Sequence, residues 1–411
     1  MIQNAFDTLK ERGFVAQTND EAAIRAAFAA RQLTYYIGFD PTASSLHCGS
    51  LVPIMAMAHL QRAGHKPVGL IGGGTAMVGD PSGKTEMRQM LSFEDIVANG
   101  QGILGQLQRY LHLESGAGMA ANNADWLMKL NYIEFLRDIG RYFRVNEMIR
   151  AEAYRARLER EEGLSFIEFN YQLLQAYDYL QLFERNGCVL QMGGDDQWSN
   201  ILAGTDLIRR KHQKQAFCIT FPLLTTARGE KMGKTAAGAI WLDAARTSPY
   251  DFYQYWINTD DRDVRKFLAL FTFLPMGEVE ALGAAQGAEL NAAKEVLAYE
   301  ATMLCHGEAA AGEARSAAKA AFGGGGDLSA MPSTTIPLAR LAAGIGLLDL
   351  FAETGLTPSK GEARRLVQQG GAYVNDVVIT DAQARVSEAD LKDGAVLLRA
   401  GKKKYHRVLA G

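Results

Sequence analysis

Cysteine is scarce in this chain. Its 411 residues hold only Cys48, Cys188, Cys218 and Cys305, with no C-x-x-C pairing and no metal-like spacing. That excludes a disulfide framework and a cysteine-built zinc site, and it fits free thiols in a reducing compartment. Long hydrophobic runs are lacking too: no stretch approaches the roughly 18 apolar residues that a membrane span needs. The first residues, 1–13, carry Asp7, Lys10, Glu11 and Arg12 and read as a surface helix instead of a signal peptide. The expected location is therefore cytoplasmic, with no membrane partner. Nor is there an excess of one charge. A net charge of −3 excludes a nucleic-acid coat over the whole chain and leaves room for a local basic face. What is present is ordinary globular composition, 48% hydrophobic and 22% charged. The length suits roughly two to three domains.

Residues 33–39 (LTYYIGF) are β-branched and aromatic and predict a buried strand ending near Asp40-Pro41. Residues 51–62 have helical apolar spacing that stops at Gly64, and 67–71 read as the next strand. Strand, helix, strand favours a parallel sheet, which holds ligands at the carboxyl ends of its strands. Further strands are expected at 189–192 and 217–221, and helices at 132–144 and 166–184. From Pro249 to about Ala321 the pattern is wholly helical, and four consecutive glycines at 323–326 read as a flexible joint. In the tail, Ser359-x-x-Glu362 is a capping-box pattern opening a short helix that Gly370-Gly371 closes. Alternating Val and Tyr after it point to short strands. The chain reads as three modules: α/β, helical, and a small α+β tail.

Two remote stretches carry the chemistry. Lys231-Met232-Gly233-Lys234-Thr235 places two lysines three positions apart beside a glycine, a pattern that can fold over a triphosphate. His47-Cys48-Gly49-Ser50 precedes a helical run, so an imidazole and bare N–H groups would sit at a helix N-terminus, where phosphates bind. Together they point to ATP held from two sides. Residues 71–85 (IGGGTAMVGDPSGKT) resemble two other phosphate motifs and match neither. A P-loop needs glycine where Val78 stands, and the dinucleotide fingerprint needs one at Met77. Lys84 and Arg88, four apart, would share a helix face within reach of polyphosphate.

These residues resemble a known family. Lys231–Thr235 is similar to the KMSKS element of class I aminoacyl-tRNA synthetases, and His47–Ser50 to their HIGH element. The bacterial tyrosyl branch is the one resembled, through YIGFDP at 36–41, GDPSGK at 79–84, Asn122-Asn123, YQLLQAYD at 171–178 and GGDDQW at 193–198. The tail (SKGEARRLVQQGGAYVN, 359–375) resembles an S4-type RNA-binding domain. The resemblance implies an α/β fold with a Rossmann-like catalytic domain over 1–225, the KMSKS-like loop and a helical domain over 226–322, a Gly-rich linker at 323–344 and an S4-like domain at 345–411. It implies a homodimer, for which the apolar region 132–149 is the candidate face. It also implies the reaction: L-tyrosine and ATP give tyrosyl-adenylate and pyrophosphate, then the tyrosyl group moves to the 3′ end of tRNA(Tyr). Mg²⁺ is expected with the ATP, without a dedicated protein site.

By that similarity Tyr36 and Asp178 would meet the phenolic hydroxyl, and Asp80, Tyr171 and Gln175 the ammonium group, with Gln191 nearby. Gly194, Asp196 and Gln197 would surround the ribose and the reacting centre. Thr42, His47, Lys84, Arg88, Lys231, Lys234 and Thr235 would line the phosphates, and Gly38, Asp40, Gly49 and Ser50 complete the ATP site. Ser50 replaces the second histidine of HIGH, and Ile37 stands where relatives can have a cysteine; both are losses on the nucleotide side, and activity is expected to survive them. A carboxylate attacking an α-phosphate needs no activated side chain. It needs positioned cations and N–H donors, especially on a loop that closes over ATP. From Pro358 onward ten basic and six acidic residues give +4, so the tail is locally cationic. Lys360, Arg364 and Arg365 on the short helix, with Lys402-Lys403-Lys404, form the expected RNA contact. A tryptophanyl or other class I relative, and an inactive RNA-binding relative, are the competing expectations.

Overall fold

The computed structural model describes the chain apart from residues 1–2, 83–90, 115, 160–162, 228, 230–231, 236–237, 324–330, 393 and 402–403, and apart from the side chains of 153, 234–235 and 321–323. The chain divides into two compact units, Met1–Lys234 with Trp241–Asp243 and Asp260–Ala293, and Thr235–Ile240 with Ala244–Thr259 and Lys294–Gly411.

The first unit is built on six strands, β1 (Gln17–Thr18), β2 (Thr34–Phe39), β3 (Lys66–Ile71), β4 (Met119–Asn122), β5 (Cys188–Gly194) and β6 (Phe217–Phe221), in the order β1-β6-β5-β2-β3-β4. Only β1 runs antiparallel, along the edge of β6. The parallel strands read as near-continuous apolar runs because helices cover both faces. All five residues of β6 are buried, as are Val68 to Ile71 of β3. The helix Leu51–Arg62 joins β2 to β3, and Leu51, Val52 and every residue from Ile54 to Leu60 are buried. The connection from β4 to β5 carries the chain back across the sheet to lie beside β2. That reversal of strand order creates a crevice at the carboxyl ends of β2 and β5, the place where such sheets bind ligands.

The helix Phe166–Asn186 runs along this crevice. A reciprocal cap between Ser165 and Glu168 starts it, and left-handed Gly187 ends it. Glu168 is tied in addition to the buried guanidinium of Arg157 at 2.9 Å. Tyr171, Gln175 and Asp178 are spaced at i, i+4 and i+7, so they project from one helix face.

The expected helix over 132–144 is shorter. It covers Tyr132–Asp138 and yields at Gly140 to a single tight turn, Gly140–Tyr142. In the second unit the tail has its own core, formed by Ile336, Leu341, Leu350, Phe351, Val367, Val396 and Leu398 among others. Its five-stranded sheet includes Ser333–Ile336, which pairs in parallel with Lys404–Ala410. Residues 333–342, assigned by sequence to the linker, therefore form a strand and the helix Leu338–Ala342, whose Leu341 is fully buried. Asn375 and Asp376, both at positive φ, make the two-residue turn of a hairpin.

Candidate active site

A cavity of about 530 Å³ opens at the crevice. Of the residues assigned from the sequence, Tyr36, Gly38, Asp40, Thr42, His47, Ser50, Asp80, Tyr171, Gln175, Asp178, Gln191, Gly194, Asp196 and Gln197 all line it. Gly49 lies directly behind His47. Lys84, Arg88 and Lys231 fall outside the described residues, and Lys234 and Thr235 are described as backbone only, on the short strand Lys234–Thr235.

At its inner end Tyr36, from β2, is buried, and its hydroxyl finds no hydrogen-bond partner. Asp178 is 2% exposed. Its carboxylate accepts from Trp126 Nε1 at 2.7 Å and from Asn123 Nδ2 at 2.9 Å. Burial pushes the Asp178 carboxyl up to about 7, the two hydrogen bonds pull against that rise, and the charge of Asp40 adds to it. Burial, then the charge of Asp178, raises the Tyr36 phenol well above its ordinary value, so it stays a neutral donor or acceptor.

Asn123 and Thr75 were not among the residues assigned from the sequence, nor was Trp126. Asn123 also donates to Thr75 Oγ1 at 2.9 Å and accepts from the Gly74 N–H at 2.7 Å. Thr75 donates to Asp40 at 2.8 Å, and the Tyr171 hydroxyl donates to the other Asp40 oxygen at 3.0 Å. Gly72 permits this chain of bonds, since a Cβ there would lie 2.0 Å from Asp40 Oδ1. Asn122-Asn123 stands in the stretch that carries the family resemblance, which is the one sequence signal these three residues had. Thr75 and Trp126 act across 48 and 52 residues of chain and leave no local pattern.

Further out, Asp80 accepts from the Ser82 N–H at 2.8 Å and from Gln197 Nε2 at 2.7 Å. Burial, then the charge of Asp80, raises the Asp196 carboxyl. Gln175 Oε1 and Gln191 Oε1 are, like the Tyr36 hydroxyl, buried without a partner. Three orphaned polar atoms around one cavity call for a polar ligand to satisfy them. Among the described residues the lining offers four carboxylates, Asp40, Asp80, Asp178 and Asp196, and no lysine or arginine.

The mouth is where the two remote motifs meet. His47 caps the turn Cys48–Ser50 by accepting the Gly49 N–H at 3.0 Å. Gly233, at a φ of +77°, backs onto this turn: a Cβ on it would lie 2.8 Å from the Gly49 nitrogen. Gly233, between the two lysines of the motif, therefore lies against the turn that His47 caps. The RNA candidates lie in the second unit. Lys360, Arg364 and Arg365 are exposed on the helix Lys360–Gln368, where Lys360 pairs with Asp349 and Arg365 with Glu362, and Lys404 is exposed on the last strand. Lys402 and Lys403 lie outside the described residues.

A polar cavity at the switch point of a parallel sheet is where such folds bind ligands, and the chain's relatives narrow the class. Residues 29–323 match the family model of tRNA synthetases class I (W and Y), and the chain is a member of that family. The tyrosine side of it is indicated by residues 327–408, which match the tyrosine–tRNA ligase SYY-like C-terminal domain. The chain is 56% identical to the tyrosine–tRNA ligase of Desulfosudis oleivorans, over 98% of each. It is 53% identical to that of Clostridium tetani over the full length of both. Among solved structures it is similar to a C-terminally truncated mitochondrial tyrosyl-tRNA synthetase of Aspergillus nidulans, with a TM-score of 0.68 and 31% identity, covering 76% of this chain and 92% of that one.

Proposed function

We propose that this chain is a tyrosine–tRNA ligase. It joins L-tyrosine to ATP as tyrosyl-adenylate, then passes the tyrosyl group to the 3′ end of tRNA(Tyr). The observation that carries the reading is the inner end of the cavity, where a buried acceptor, Asp178, and an unpartnered hydroxyl, Tyr36, converge. A phenolic O–H donating to Asp178 and contacting Tyr36 gives the carboxylate a further donor and the hydroxyl its partner, and phenylalanine would supply neither. Asp80, Tyr171 and Gln175 take the ammonium group, with Gln191 beside them. The tyrosine carboxylate oxygen then attacks the α-phosphorus, and the bond from that phosphorus to the bridging oxygen of pyrophosphate breaks.

Gly194, Asp196 and Gln197, with Gly38 and Asp40, surround the adenosine. Thr42, His47, Gly49 and Ser50 face the phosphates, with the imidazole held at the turn by the Gly49 N–H. Four carboxylates alone would repel a triphosphate, so the reaction needs cations brought from outside the described lining. Lys84 and Arg88 follow Ser82, a lining residue, and Lys231, Lys234 and Thr235 flank Gly233. Each such donor at the departing pyrophosphate is worth about 10²–10³ in rate. Mg²⁺ arrives as the companion of the triphosphate. Among the described residues no group of three or more His, Cys, Asp or Glu is arranged to hold a metal.

In the second step a ribose hydroxyl at the tRNA 3′ end attacks the tyrosyl carbonyl carbon, and AMP leaves. Lys360, Arg364, Arg365 and Lys402 to Lys404 contact RNA phosphates. The surface pairs that now occupy Lys360 and Arg365 are weak enough to be exchanged. The protein acts as a homodimer through the face around residues 132–149, where Tyr132, Ile133 (70% exposed), Val145 (62%) and Ile149 stand open. We place the reaction in the cytoplasm, where the four unbridged thiols stay reduced. Among the described residues no helix is long and apolar enough to cross a membrane. ATP–pyrophosphate exchange with tyrosine, phenylalanine and tryptophan in turn is the test. Exchange with tyrosine alone is expected; exchange driven by tryptophan, or none, would refute the assignment.

A further inference from the structure

Behind the turn that bears His47 lies a buried carboxamide outside the substrate cavity. Gln106 is the last residue but one of the helix Phe93–Leu107, and both it and Ser45 are 4% exposed. Its Oε1 accepts the Leu46 N–H at 2.9 Å, and its Nε2 donates to Ser45 Oγ at 3.1 Å. Ser45 in turn donates to the Leu46 carbonyl at 2.7 Å. The helix presses close here, since a Cβ on Gly102 would lie 2.7 Å from the Ser44 carbonyl oxygen.

From the other side comes Trp241–Asp243, the segment to which the chain returns after the KMGKT stretch. The Asp243 N–H donates to the same Ser45 Oγ at 3.2 Å, and the Leu242 N–H to the same Leu46 carbonyl at 2.9 Å. Arg109, on the turn after the helix, holds the Leu242 carbonyl at 3.2 Å. Trp241 forms a β-bridge with His47, and their rings stand 6.2 Å apart at a steep angle. Ser45 Oγ is thus shared by Gln106, the Leu46 carbonyl and the Asp243 N–H, and that carbonyl also accepts the Leu242 N–H.

We infer that Gln106 is a positioning residue for adenylate formation: through Ser45 and Leu46 it fixes the His47 turn and clamps it to Trp241–Asp243, the anchored end of the KMGKT loop. This rests on the ligase reading above. Gln106 supplies no charge and touches no substrate. Its part is to keep the imidazole of His47 in one place against Trp241–Asp243. Without it the half-buried Leu46 N–H loses its partner, and the turn must shift to recover one. Displacements of this size beside a reacting phosphate cost rate far more than they cost stability.

Gln106→Leu, Gln106→Glu and Ser45→Ala in the full-length protein test this by tyrosine-dependent pyrophosphate exchange, alongside the tyrosine Kd from equilibrium dialysis. Gln106→Leu is expected to lower kcat/KM for ATP by about 10–10²-fold. Tyrosine Kd should move by less than about twofold, because the tyrosine contacts are untouched. Gln106→Glu keeps the acceptor for Leu46 and should recover part of the loss. In a His47→Ala background the same Gln106 and Ser45 changes should cost less than about threefold, since the imidazole they position is gone. Effects that multiply independently of His47, or tyrosine affinity falling in step with the ATP parameter, would overturn the inference. Should Gln106→Leu fail to fold, the Ser45→Ala and His47→Ala cycle decides by the same criterion. A wild type without tyrosine-dependent exchange would refute the ligase reading itself.

Discussion

The most demanding consequence of the site concerns pH. Asp178 is buried, and its carboxyl is raised from 3.8 to about 7 in the free pocket, chiefly by burial. A phenol donating to that carboxylate favours its ionised form, so tyrosine lowers this pKa on binding and expels a proton where one was held. Tyrosine affinity must then rise with pH until about 7 and level off. At pH 6 roughly one free molecule in eleven is ionised at Asp178, and at pH 8 roughly ten in eleven; tyrosine should bind about tenfold tighter at the higher pH. Phenylalanine offers no donor to the carboxylate, so its affinity should stay flat or fall over the same range. Asp178→Asn should remove the slope. At pH 8 it should weaken tyrosine by about 1.5–3 kcal/mol, the worth of a hydrogen bond to a charged group. The same carboxyl holds its proton longer folded than unfolded, so its contribution to stability declines as pH rises from about 4 to about 7. That decline is absent in Asp178→Asn. Titration calorimetry at pH 6, 7 and 8, in two buffers of different ionisation enthalpy, counts both affinity and protons. A flat tyrosine profile in the wild type, or a slope surviving in Asp178→Asn, would refute the assignment of the hydroxyl to Asp178.

Tyr36→Phe removes an unpartnered buried hydroxyl, so the free protein should be no less stable by thermal melting, while tyrosine binding weakens by about 0.5–1.5 kcal/mol. Gly233→Ala combines a positive φ with a Cβ 2.8 Å from the Gly49 nitrogen; steady-state exchange should show a raised KM for ATP and an unmoved tyrosine Kd. Lys360→Ala with Arg364→Ala should leave exchange intact and weaken tRNA binding, with the salt dependence shallower by about two units of log–log slope. Ile133→Asp, on the exposed apolar face, should shift the sedimentation coefficient from dimer to monomer.

Much of the scaffold is legible in the residues because burial on both faces leaves continuous apolar runs. Residues 33–39, 67–71 and 217–221 show this, and the structure places β2, β3 and β6 there. Strand β4 (MAAN) has no β-branched residue and is a strand only because β3 offers a parallel partner. Edge strand β1 is two residues long and has no pattern to read. The glycines at 323–326, read from sequence as a joint, fall almost wholly outside the described residues, and the tail begins sooner than composition indicates: Ser333–Ile336 looks like polar linker until Lys404–Ala410, some 70 residues on, pairs with it. Within the site, Tyr171, Gln175 and Asp178 were marked by the family-like stretch at 171–178, and their spacing sets them on one helix face. The residues that hold them were not. Thr75, Asn123, Trp126 and Gln106 act through hydrogen bonds across 48 to 61 residues of sequence, and only the fold brings them together.

A crystal structure with a non-hydrolysable tyrosyl-adenylate bound tests the central claim most directly. The phenol should lie between Tyr36 and Asp178, the phosphate should rest against the His47–Gly49 turn, and the ammonium of Lys231 or Lys234 should reach the side from which pyrophosphate has left. A phenol bound elsewhere, or both lysines directed into solvent away from the imidazole, would contradict the account.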